Sequence, residues 1–101
     1  MFTPKLQNEQ TDLLMQALLK LETPEEAYRF CEDVLTVQEL KSITQRLEVA
    51  VMLRSKATYQ EIARQTGAST ATISRVNRSL LYGADGYNVV LDRLLQTIQQ
   101  K

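Results

Sequence analysis

The sequence predicts an all-helical fold of about six helices that contains a helix-turn-helix. The 101-residue chain has only three Gly and two Pro, so few residues interrupt long helices. Apolar residues recur at helical spacing, and three Thr-x-x-Glu motifs precede such runs. The segment from Tyr59 to Arg78 has the spacing of two helices that cross through a tight turn.

The first helix is expected from about Lys5 to Leu21, where leucines repeat every three or four residues. Met15 and Leu19 extend its apolar surface beyond one stripe. Such a helix needs more than one packing partner, and a second subunit would supply one.

Capping boxes mark three later helix starts, at Thr23–Glu26, Thr36–Glu39 and Thr58–Glu61. In each box the Thr hydroxyl accepts the backbone N–H three residues on, and the Glu accepts the N–H of the Thr. Pro24 suits a first helical position. Helices are therefore expected over about residues 24–35 and 37–54.

Each of these helices is expected to present one apolar face. The face of the second would contain Ala27, Phe30, Cys31 and Val34, and that of the third Leu40, Ile43, Leu47, Ala50, Val51 and Leu53. In this setting Cys31 is interpreted as a buried small hydrophobe. A glycine-containing turn over residues 83–86 precedes the last helix, expected at 87–100 with Val90, Leu91, Leu94, Leu95 and Ile98 on its apolar face.

The helix-turn-helix, over about residues 59–81, has an internally consistent pattern. Ala63 is small enough for the helix crossing, and Gly67 tolerates the positive φ that the turn needs. Ser69 is the expected N-cap of the second helix. The apolar wedge between the two helices would be Ile62, Ile73 and Val76. We expect residues 1–101 to form one domain, with residues 5–54 and 87–100 serving core and dimerisation.

Charge is divided along the chain although the total is zero. Residues 1–39 have three basic and eight acidic side chains, a net −5, whereas residues 54–78 have five basic and one acidic, a net +4. Because local potential governs binding, the basic segment favours double-stranded DNA as a partner.

The second helix of the motif would enter the major groove, where Ser and Thr contact either base type and Arg favours guanine. Flanking residues would contact the DNA backbone. The expected DNA-binding residues are Lys56, Tyr59, Gln60, Arg64, Ser69, Thr70, Ala71, Thr72, Ser74, Arg75 and Arg78.

From Leu35 to Leu81 the sequence resembles the Trp repressor family, most closely at Gly67-Ala68 and over 71–75. Almost the whole chain is similar to the YerC/YecD branch of that family. The resemblance implies an intertwined, all-helical homodimer that regulates transcription, as a repressor, by reading two half-sites roughly 34–36 Å apart.

The resemblance also implies a possible effector pocket. The matching positions are Leu35, Thr36, Arg46, Arg75, Val76 and Ser79. Ligand binders of the family have a glycine where Val76 stands, and a valine would fill the indole space. We therefore expect no cofactor and no tryptophan binding, and favour a ligand-independent protein, with a different small effector as an alternative.

Other functions find little support in the sequence. The chain has no His and one Cys, so it lacks the usual general base and a disulfide framework. We expect no enzyme activity and no metal site. Without a signal peptide or a membrane-spanning run, the expected location is the cytoplasm. The alternative function is a helix-turn-helix adaptor that binds proteins but not DNA.

Overall fold

The computed structural model describes residues 2–99, with side chains through residue 96. Over this range the chain forms helices and no strand, as predicted. The helices are α1 Glu9–Leu19, α2 Pro24–Val34, α3 Val37–Arg54, α4 Tyr59–Thr66, α5 Thr70–Tyr82 and α6 Gly86–Gln99. Residue 100 of the last predicted helix and the side chain of Ile98 lie outside the described part.

The chain divides into two compact units, one ending at Leu40 and the other beginning at Lys41. The boundary falls in the first turn of α3. The expectation of a single domain stays a prediction. Along residues 2–99, no helix combines the length and the apolar character required to cross a membrane.

The first helix is shorter than predicted, beginning at Glu9 rather than Lys5 and ending at Leu19 rather than Leu21. Its start is set by a capping box made of Asn8 and Thr11. Asn8 Oδ1 accepts the Thr11 N–H at 2.8 Å, and Thr11 Oγ1 accepts the Asn8 N–H at 2.8 Å. A search for Thr-x-x-Glu does not find this box, because neither residue type matches.

Two of the three predicted capping boxes are confirmed. Thr36 and Thr58 each exchange both hydrogen bonds with the Glu three residues on. The Thr23 box is half wrong: Thr23 Oγ1 accepts the Glu26 N–H at 3.1 Å, but Glu26 Oε1 accepts the N–H of Glu22. The helix that follows ends one residue early, at Val34, and Cys31 in it is half-buried rather than buried.

The core of the second unit joins α3 to the later helices. Its buried side chains are Val49, Ala50, Ile62, Ala68, Ile73, Val76 and Leu91. The apolar face predicted for α3 therefore coincides only in part with the side of the helix that meets this core. Val49, which was not assigned to it, is fully buried, whereas Ile43, Leu47 and Val51 are 45%, 36% and 37% exposed. The helix has two apolar faces, and its own core covers one of them.

A polar cluster fastens α6 to the ends of α3 and α5. Arg54 forms an ion pair with Asp92 and donates to Asn88 Oδ1 at 3.4 Å. Asn88 is half-buried and also donates to the Asp85 carboxylate at 2.9 Å. The turn before it needs Gly83, since an added Cβ would lie 2.5 Å from the carbonyl oxygen of Ser79.

Candidate nucleic-acid interface

The turn between α4 and α5 has the predicted geometry. Gly67 adopts φ 74°, in the left-handed region, and its N–H donates to the carbonyl of Ala63 at 2.9 Å. A Cβ at Gly67 would meet no atom within 4 Å. Glycine is therefore favoured here by backbone conformation and not by crowding.

The second helix of the motif begins where predicted. Ser69 Oγ accepts the N–H of Thr72 at 3.1 Å, which makes Ser69 the N-cap of α5. Ile62 and Ile73 are fully buried and Val76 is 2% exposed. The predicted wedge is thus confirmed, and α5 is held by its inner face, which leaves its outer face outside this core.

The outer face of α5 has short polar and cationic side chains. Thr70, Ala71, Arg75 and Arg78 are exposed, as is the cap residue Ser69. Thr72 and Ser74 are only half-buried, and the hydroxyl of Ser69 donates to Thr72 Oγ1 at 3.1 Å. No acidic residue lies in the first turn of α5, so the positive end of its dipole is not neutralised locally.

Four expected flanking residues, Lys56, Tyr59, Gln60 and Arg64, are exposed before or along α4. Lys56 has φ 66°, an uncommon conformation for a residue with a side chain. Its N–H donates to Leu53 and the next N–H, of Ala57, donates to Met52. This pair of bonds is a Schellman motif with lysine at the position where glycine is usual.

The positive charge of this region is smaller than the sequence count suggests. Arg54 belongs to the basic segment but is paired with Asp92. Within residues 2–96, no carboxylate forms an ion pair with Arg75 or Arg78. These two guanidinium groups on α5 are therefore available to an anionic partner.

Sequence reasoning missed two residues that support the turn. Gln45, in α3, donates from Nε2 to the carbonyl oxygen of Thr66 at 3.1 Å. The two residues are 21 positions apart, so no local motif predicts the bond between them. Only the tertiary structure brings them together.

The predicted effector residues have different surroundings within their own units. Val76 is in the core and Arg75 is exposed, while Leu35 and Thr36 belong to the first unit. Arg46 and Ser79 line one open groove of about 610 Å³; the other lining residues are Ile43, Leu47, Ala84, Gly86, Tyr87 and Val90. Arg46 Nε donates to the carbonyl of Ser42 at 3.4 Å.

Comparison with known proteins identifies the family. The family model described as Trp repressor protein matches residues 9–95. The chain belongs to the Trp repressor family. It is 52% identical over 93 residues to the uncharacterized protein YerC of Bacillus subtilis, covering 92% of this chain and 89% of that protein.

Solved structures of Trp repressor-like proteins have the same fold. The crystal structure of a TrpR like protein from Eubacterium eligens is 58% identical, with a TM-score of 0.85, covering 89% of this chain and 93% of that one. A Staphylococcus aureus protein of known crystal structure is 50% identical to this chain, with a TM-score of 0.84. The match covers 89% of this chain and 90% of that one. The Trp repressor family and its YerC branch, expected from the sequence, are confirmed, as is the all-helical fold of a DNA-binding regulator.

Proposed function

We propose that this Trp repressor family member is a sequence-specific transcriptional regulator, acting as a repressor, that reads the major groove with α5. The observation that carries the proposal is the outer face of α5. Arg75 and Arg78 are exposed there without a described carboxylate partner, beside the exposed Thr70 and Ala71. Small polar residues let the helix approach base edges, and the arginines supply guanine or phosphate contacts.

The proposed regulator is a homodimer that presents two copies of α5. Its support is the apolar surface that each unit leaves exposed. In α3 and α6 these side chains include Ile43, Leu47, Val51, Val90 and Leu94, and α1 has no buried residue. Large exposed apolar patches on a single subunit usually mark interaction sites. Light scattering at micromolar concentration should give twice the chain mass of 11.5 kDa, and a monomeric mass would contradict the dimer.

We further propose that DNA binding does not depend on tryptophan. Val76, at the position of the pocket floor, is 2% exposed and packed in the core. A bound ring there would have to displace the valine and the side chains around it. The affinity for DNA should therefore be the same with and without millimolar tryptophan, and an increase in affinity would show that the pocket opens.

A mobility-shift titration tests the DNA proposal directly. The DNA is selected by the wild-type protein from a random pool, and the titration is repeated at several salt concentrations. Arg78→Ala should weaken binding and reduce the slope of log affinity against log salt by about 1 if Arg78 contacts a phosphate.

Arg29→Ala is the matched control, because it also removes one positive charge. Arg29 lies in α2, is exposed, and pairs with Glu25 at 2.9 Å. Its loss should leave both the affinity and the salt slope unchanged. If Arg78→Ala behaves like Arg29→Ala, Arg78 does not contact DNA. If the wild-type protein shows no salt-dependent retention by DNA, the adaptor function becomes the better explanation.

A further inference from the structure

The last carbonyl of α4 has a side-chain partner from a different helix. Helices end with carbonyl groups that have no partner within the helix. In α4, the Ala63 carbonyl is taken by the N–H of Gly67, and the Thr66 carbonyl accepts Gln45 Nε2 at 3.1 Å. Gln45 and Thr66 are both half-buried. The bond therefore ties the middle of α3 to the residue at which the turn begins.

Thr66 also holds the turn through its hydroxyl. Thr66 Oγ1 donates to the carbonyl of Ile62 at 2.7 Å and accepts the N–H of Ala68 at 3.1 Å. Ile62 and Ala68 are both buried. The polar atoms of one residue thus connect the last turn of α4, the connecting turn and, through Gln45, α3.

We propose that Gln45 and Thr66 are positioning residues that set the orientation of α5 for base reading. This inference rests on the proposed function. Only three residues separate Thr66 from Thr70, the first residue of α5, so a shift at Thr66 is transmitted to that helix. Neither Gln45 nor Thr66 itself touches DNA in this proposal.

Loss of the Gln45 bond affects specific and non-specific DNA binding differently. Hydrogen bonds to base edges need close alignment of donor and acceptor. Phosphate contacts made by long cationic side chains tolerate a small rotation of the helix and do not depend on sequence. The ratio of specific to non-specific affinity therefore reports on positioning, whereas a general loss of folded protein lowers both affinities together.

Gln45→Met tests the proposal, since methionine is unbranched and of similar length but donates no hydrogen bond. One bond lost should weaken binding to the selected site by about 3–10-fold. Binding to a scrambled duplex should change less than about twofold and the salt slope should stay the same, because no phosphate contact is removed. Thr66→Val should act in the same direction, and Thr66→Ser, which keeps the hydroxyl, should retain the wild-type ratio.

Asn88→Ala is the matched control for stability, since it removes side-chain hydrogen bonds between α5 and α6. It should leave the affinity ratio unchanged. If Gln45→Met also leaves the ratio unchanged, the positioning role is overturned although the wild-type protein still binds DNA. If the wild-type protein itself shows no salt-dependent binding, both proposals fail together.

Hydrogen exchange without DNA gives an independent readout. Gln45→Met should speed exchange of the Gly67 and Ala68 amides by about 3–10-fold relative to that of Leu91. A uniform change across the protein, or none, would overturn the proposal even if the variant is less stable.

Discussion

The side-chain amide of Asn88 donates to the carbonyl oxygen of Leu80 at 3.0 Å, so the first turn of α6 is fastened to the last turn of α5. The same amide group donates to Asp85 and accepts from Arg54. One half-buried side chain therefore satisfies groups from three parts of the second unit.

Replacing Asn88 by alanine should destabilise the fold. The Asn88→Ala change leaves the Leu80 carbonyl without its partner, and we expect the free energy of unfolding to fall by about 1–2 kcal/mol. Urea denaturation followed by circular dichroism measures it. Asn77→Ala, at a half-buried position of α5, is the control and should change stability by less than about 0.5 kcal/mol. Equal effects of the two changes would contradict the assigned role of Asn88.

The two glycines Gly67 and Gly86 should respond in opposite ways to alanine. Neither has an atom within 4 Å of an added Cβ, but only Gly67 has a positive φ. Gly67→Ala should therefore lower the free energy of unfolding by about 1–2 kcal/mol. Gly86→Ala, at the start of α6, should raise it by about 0.4–1 kcal/mol. Thermal denaturation of both variants checks the signs of the two stability changes. A Gly67→Ala protein that is as stable as the wild type would refute the explanation by backbone conformation.

Lys56→Gly should stabilise the protein while weakening its DNA binding. Glycine relieves the left-handed backbone at φ 66°, which raises the free energy of unfolding by about 1 kcal/mol. If the Lys56 ammonium contacts a phosphate, the salt slope of DNA binding should fall by about 1. Denaturation and salt titration are measured on the same preparation. Ser55→Gly, one residue earlier and without a positive φ, should instead lower stability.

Acid should weaken the start of α3 through Glu39. Hydrogen bonds from the Thr36 backbone N–H and side chain lower the pKa of Glu39 below its ordinary value. The carboxylate therefore contributes stability above the unfolded-state pKa of about 4.3, and this contribution is lost as the pH falls through the lower folded pKa. Glu39→Gln should make stability less dependent on pH over that range, as measured by urea unfolding at several pH values. An unchanged pH profile would mean that other carboxylates dominate.

Local signals predicted the middle of the chain well. The starts of α3, α4 and α5 follow from Thr36, Thr58 and Ser69, because each cap is made within three residues. The Gly67 turn and the buried Ile62, Ile73 and Val76 are predictable for the same reason: residue type and spacing determine them.

The remaining features depend on tertiary structure. Apolar spacing cannot tell which of two apolar faces of α3 meets its own core. It therefore does not identify Val49 as fully buried, and it does not show that Leu47 stays 36% exposed. The partners of Gln45 and Arg54 lie 21 to 38 residues away, beyond the reach of any motif. The effector positions follow from the resemblance to the family. Only for Val76 is there also a physical argument, which is that its side chain would fill the space of a bound ring.

The short-range caps have a consequence for the order in which parts of the chain fold. Asn8, Thr36 and Thr58 each complete a capping box within three residues, so the helices that follow begin to form before distant parts of the chain meet. Closing the core still requires Leu91 to join the buried cluster that contains Val49, which lies 42 residues earlier. Because helix formation is fast and such closure is slower, arrival of α6 should be the late event in folding of the second unit.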